Sequence, residues 1–107
     1  MTVFEFIRDK FPEFEHFTSG YPDSYRTEMN YGMAIRALEF AQELKRASRH
    51  TELKRLFEHV EAGMSSQDVE SPLCIDFVQR IPELPPDDQD VFLDLLGPLS
   101  RKCYDCG

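Results

Sequence analysis

Between Asp23 and Ser48 the apolar side chains fall on two helical lines at once. Tyr31, Ala34, Ile35 and Leu38 make one line, and Met33, Ala37, Phe40, Leu44 and Ala47 make the other. Only Arg36, Glu39, Glu43 and Arg46 remain as a narrow polar strip, and a helix this apolar must be covered by several neighbours. The stretch is therefore expected to be the central element, capped at its start by Asp23 or Ser24. Gly32 inside it costs about 1 kcal/mol relative to Ala, which points either to a later true start or to the close approach of another helix.

The flanking sequence repeats the helical pattern in shorter pieces. Val3, Phe4, Phe6 and Ile7 give a first helix that Pro12 ends, and Phe11, Phe14 and Phe17 follow at spacing three before a loop at Thr18 to Pro22. Residues 1–22 thus read as an aromatic-rich N-terminal arm. Leu53, Leu56, Phe57 and Val60 define a helix over Thr51 to Ala62, with Gly63 where a left-handed cap is wanted. The short link at Arg49 and His50 predicts that this helix runs antiparallel to its predecessor. Pro72 leaves two options for the next helix, a bent one from Ser66 or one that begins with Ser71 and Pro72, and both bury Cys74, Phe77, Val78 and Ile81. Pro86 followed by Asp87, Asp88 and Asp90 is a helix start, because carboxylates favour the positive end of the helix dipole. Val91, Phe92, Leu95 and Leu96 then face inward until Gly97 and Pro98, and a last short helix covers Leu99 to Tyr104. No alternating, β-branched run is present. The expectation is one all-α domain over residues 1–107, five to seven helices stacked as antiparallel pairs in a small bundle or short α-α superhelix.

Charge narrows the function. The net charge of −8 repels nucleic acid and anionic membrane, whose affinity for proteins rests on Lys and Arg. Residues 26–56 hold seven basic and four acidic side chains, whereas residues 57–96 hold ten acidic ones and only Arg80. That uncompensated second half would draw a cationic partner. Asp68, Glu70, Asp76, Glu83, Asp87, Asp88, Asp90 and Asp94 are the candidate partner-binding residues, with Tyr21, Tyr25 and Tyr104 as candidate anchors. A solvated face with favourable dipole placement is the alternative account of the same carboxylates.

Catalytic chemistry finds little support. Cys103 and Cys106 form a C-x-x-C, but zinc needs four ligands, and His16, His50 and His59 are scattered on separate elements. The motif also lacks the strand-then-helix setting of a redox dithiol. No histidine is spaced to activate a Ser or Cys, and the five glycines are too dispersed for a phosphate loop. No catalytic residue, metal or cofactor is expected. The odd number of cysteines argues against a disulfide framework, so Cys74, Cys103 and Cys106 are expected as free thiols. No leader or membrane-spanning segment stands out, and a cytoplasmic location is expected.

Three local motifs, Phe11-Pro12-Glu13-Phe14, Tyr31-Gly32 and Leu95-Leu96-Gly97-Pro98-Leu99-Ser100-Arg101-Lys102, together with the helix order, carry a resemblance. The chain resembles a loosely defined family of small helical bacterial proteins without assigned activity, some of which look like immunity proteins encoded beside polymorphic toxins. It departs from the family pattern at Pro72, which interrupts a helix, and at the abrupt tail from Cys103 to Gly107. The resemblance implies an inhibitor that neutralises a toxin domain by occupying its basic cleft. Two other readings stand beside it: a helical-repeat-like adaptor or regulator that binds by apolar area, and an enzyme or metal sensor built on Cys103 and Cys106.

Overall fold

The computed structural model describes residues 1–106. The first helix, α1 (Val3–Lys10), starts on a capping box in which the Thr2 hydroxyl accepts from the Glu5 N–H while the Glu5 carboxylate accepts from the Thr2 N–H. These hydrogen bonds from Thr2 hold the Glu5 carboxyl below its ordinary range. Val3, Phe4 and Ile7 are buried, so the N-terminal arm is part of the core. Pro12 redirects the chain into a single turn, α2 (Glu13–Phe17), whose rings converge on Phe40. Phe11, Phe14 and Phe17 lie 6.0, 5.5 and 5.3 Å from the Phe40 ring centre.

The long helix expected from Asp23 to Ser48 is two helices, α3 (Asp23–Glu28) and α4 (Asn30–Arg46), broken at Met29. The break turns the Asn30 side chain toward α1, where its oxygen accepts from the Val3 N–H at 3.1 Å. One of the unpaired donors at the start of α1 is satisfied in this way. Gly32 serves the close approach: a Cβ there would fall 2.5 Å from the Tyr25 hydroxyl of α3. Later start and close approach therefore both hold.

Helix α4 is followed by α5 (His50–Gly63) after Ser48, which has φ 58°. The Arg49 N–H reaches back to the Leu44 carbonyl at 2.9 Å, and this closes the end of α4. Leu53, Leu56, Phe57 and Val60 are buried as their spacing predicts. Gly63 is not a left-handed cap. It is the last residue of α5, and a Cβ there would meet Leu73 at 2.8 Å and Phe6 at 2.9 Å, so packing and not backbone conformation requires glycine.

The second half is built from short pieces. Helix α6 (Glu70–Asp76) holds Pro72 in its first turn, where no intrahelical N–H is needed, so neither a bend nor a start at Ser71 occurs. A 3-10 helix (Val78–Glu83), α7 (Pro86–Leu95) and α8 (Pro98–Cys106) follow. The described residues thus form eight α-helices and one 3-10 helix, more than the five to seven expected, and no strand. The difference arises from the break at Met29 and from one-turn helices that a periodicity window cannot resolve. Phe57 lies at the seam of the two halves, with its ring centre 5.4 Å from Phe77 and 5.1 Å from Phe92. A radius of gyration of 12.6 Å is that of a compact chain of this length. None of the helices among the described residues is long and apolar enough to cross a membrane.

Two devices fasten α8. The Glu61 carboxylate of α5 accepts from the backbone N–H groups of Leu99 and Ser100, each at 2.9 Å, and so caps its N-terminus. Gly97 makes room for it, since a Cβ would fall 2.5 Å from the Glu61 side chain. The second device overturns the free-thiol expectation: Cys74 of α6 and Cys103 of α8 are disulfide-bonded, their Cα atoms 5.9 Å apart and 29 residues apart in sequence. Closing a loop of that length stabilises by roughly 3–4 kcal/mol in the chain-entropy account. Cys106 is free and exposed.

Candidate functional site

Helix α7 begins with Pro86, whose missing N–H is no loss at a helix start, and it buries Phe92 against Phe57. That orientation turns Asp87, Asp90 and Asp94 outward. At spacings of three and four they form one stripe, about 10 Å long on helical geometry. None of the three makes an ion pair among the described residues. Dipole placement accounts for Asp87 in the first turn, but Asp94 sits in the last turn, where a carboxylate is disfavoured by about 0.3–1 kcal/mol.

The other candidate carboxylates are placed differently. Asp88, on the same helix, points inward to Lys45 at 2.9 Å and Gln42 at 2.9 Å. Burial pushes its carboxyl up, but these two donors outweigh burial and hold it below the ordinary range. Asp76 is buried and pairs with Arg80 at 2.7 Å, and Arg80 also reaches Glu83 at 3.3 Å. Asp68 pairs with the N-terminal ammonium at 3.1 Å. Glu70 on α6 is exposed and unpaired among the described residues, and it lines a cleft shared with the cysteines. The acidic surface is thus narrower than the charge count alone predicts: a stripe on α7 with Glu70 apart from it on α6. The Asp76 to Arg80 spacing of four is a pairing visible in sequence; Lys45 with Asp88 needs the fold.

Aromatic anchors fare unevenly. Tyr21 stacks on Tyr25 at 4.9 Å and its hydroxyl accepts from Arg36, so both rings serve the contact of α3 with α4. Tyr104 is partly buried against the core. Tyr31 is the exposed tyrosine, beside exposed Met29.

His59 stacks on Phe6 at 3.8 Å, and its Nε2 lies 2.6 Å from the Phe6 carbonyl oxygen. A carbonyl only accepts, so Nε2 carries the proton. Burial lowers the pKa of this ring below its ordinary value and outweighs the hydrogen bond to Phe6. His59 with Lys10, Phe11, Arg55 and Glu58 lines a cleft of about 320 Å³. His16 and His50 are exposed. Among the described residues no three His, Cys, Asp or Glu side chains converge as a metal site.

No family model matches the chain, and no curated protein or solved structure matches it either.

Proposed function

We propose that this protein is an acidic protein-binding domain that acts as an immunity protein: it neutralises a cognate toxin by laying α7 into a basic active-site cleft. The carrying observation is the outward stripe Asp87, Asp90 and Asp94, in which no carboxylate is neutralised by the protein's own cations among the described residues and Asp94 opposes its own helix dipole. Such a stripe resembles a run of phosphates in charge, and it accelerates encounter with a cationic surface. Inhibition proceeds by occupancy and needs no catalytic group, metal or cofactor. Nucleic acid and membrane are not partners in this reading, and its site of action is the cytoplasm. The same reading treats the helices as antiparallel pairs, a rigid frame for the stripe.

The test is titration against the toxin-like C-terminal domain encoded by a neighbouring reading frame. Wild type should bind and inhibit it, and reversal of Asp87, Asp90 and Asp94 to Lys should weaken binding at least roughly 100-fold at low salt. Failure to bind any such domain removes the reading. Exposed Met29 and Tyr31 favour a second one, an adaptor that docks by apolar area. It predicts binding that is insensitive to salt and lost in Tyr31→Ala.

A further inference from the structure

Helix α8 presents Leu99, Lys102, Cys103 and Cys106 at spacings of three, one and three, a single helical stripe. That stripe forms one wall of a cleft of about 260 Å³, and Glu70 and Cys74 of α6 lie across it. All three cysteines of the chain therefore open on one cleft, two of them bonded and the third free. The C-x-x-C that plays no part in partner binding has its first sulfur already engaged by Cys74.

We propose that Cys74, Cys103 and Cys106 form a thiol–disulfide exchange site, in which Cys106 moves the bond from the Cys74–Cys103 pair to a Cys103–Cys106 pair. The Cys106 thiol loses its proton to water. Its thiolate attacks Sγ of Cys103, the S–S bond to Cys74 breaks, and Cys74 leaves as a thiolate that takes up a proton. One disulfide is made for one broken, so no oxidant or reductant is consumed.

Three features of the cleft suit this step. Lys102 lies four residues before Cys106 on the same stripe and has no ion-pair partner among the described residues, so the wall of the cleft that carries the attacking sulfur also carries a cation. The Gln79 amide donates toward Cys74 Sγ at 3.6 Å and Cys103 Sγ at 3.9 Å, which sets a donor beside the sulfur that leaves. Third, the new bond joins residues three apart in the last turn of α8. There Cβ atoms stand about 5–6 Å apart against the roughly 3.5–4.5 Å a disulfide needs, and a terminal turn can tighten because its last carbonyls have no intrahelical partners. Exchange releases α8 from α6 while the Glu61 cap still holds its other end.

The experiment maps free thiols in the whole protein. Wild type with one disulfide is incubated at mildly alkaline pH, quenched in acid, blocked with N-ethylmaleimide under denaturing acid conditions and analysed by mass spectrometry. The expected result is label shared between Cys106 and Cys74, at a rate independent of protein concentration. In Cys106→Ser, label at Cys74 should stay at background. Label confined to Cys106 in wild type, equal label at Cys74 in both proteins, or a rate that rises with concentration overturns the proposal. A Cys74→Ser variant given oxidised glutathione provides the second reading: it should close Cys103–Cys106, and two mixed glutathione disulfides in its place would show that these sulfurs cannot meet.

Discussion

Residues 1–63 and residues 64–106 are held together by different means. In the first part a long helix gathers the rings of Phe11, Phe14 and Phe17 around Phe40, and cations find carboxylates nearby: Arg49 grips Glu13 through two hydrogen bonds of 2.8 and 2.7 Å, and Arg46 pairs with Glu43. In the second part the helices have ten residues or fewer, too short to be stable by themselves in water, and prolines separate them. A disulfide and a carboxylate cap borrowed from α5 supply what helix length does not. Charge divides the same way. Carboxylates of the first part mostly pair with cations or cap helices, whereas Asp87, Asp90 and Asp94 of α7 face outward and make no ion pair among the described residues.

The largest effect should come from the aromatic hub. Phe40→Ala removes the ring that three others touch, and it should cost about 3–5 kcal/mol in urea unfolding. A loss below about 1 kcal/mol would show that the first part does not depend on this cluster. Next, reduction of Cys74–Cys103 should lower stability by roughly 3–4 kcal/mol. Hydrogen exchange should then accelerate in α6 and α8 while α4 and α5 keep their protection, and uniform acceleration would erase the distinction between the two parts.

Glu61→Gln should cost about 0.5–2 kcal/mol, the usual range for losing a helix cap. Burial pushes the Glu61 carboxyl up, but the N–H groups of Ser100 and Leu99 outweigh it and hold it below its ordinary value. A depressed carboxyl contributes stability that is fully present above the unfolded value of about 4.3 and is lost as pH falls through the lower folded value. Denaturant midpoints measured across that window should therefore fall less steeply in the variant than in wild type. Smallest of all, Ser48→Gly relieves a left-handed residue but loosens the unfolded chain, and a net gain of about 0.5 kcal/mol is expected from thermal melts.

Where residues act through their own helix, the sequence was readable. Leu53, Leu56, Phe57 and Val60 mark a buried face by spacing alone, and Pro86 with Asp87 marks the start of α7. What escaped depends on distant groups. Met29 breaks the central helix where Asn30 can reach the Val3 N–H, 27 residues away, and no local pattern encodes that acceptor. Cys74 and Cys103 lie 29 residues apart, with the 3-10 helix and α7 between them, so their pairing is a property of the fold and an odd cysteine count does not reveal it. The acidic site was legible as a charge imbalance but not in extent, because Lys45 and the N-terminal ammonium that neutralise Asp88 and Asp68 lie on other elements.

The most direct test compares two acidic sets in one binding experiment. Association rate with the basic toxin domain is measured against ionic strength for wild type, for Asp87→Asn with Asp90→Asn and Asp94→Asn, and for a control with Asp68→Asn and Glu83→Asn. A free stripe predicts a steep salt dependence that the α7 variant flattens and the control leaves nearly intact. Equal flattening in both variants, or no salt dependence in wild type, would contradict it.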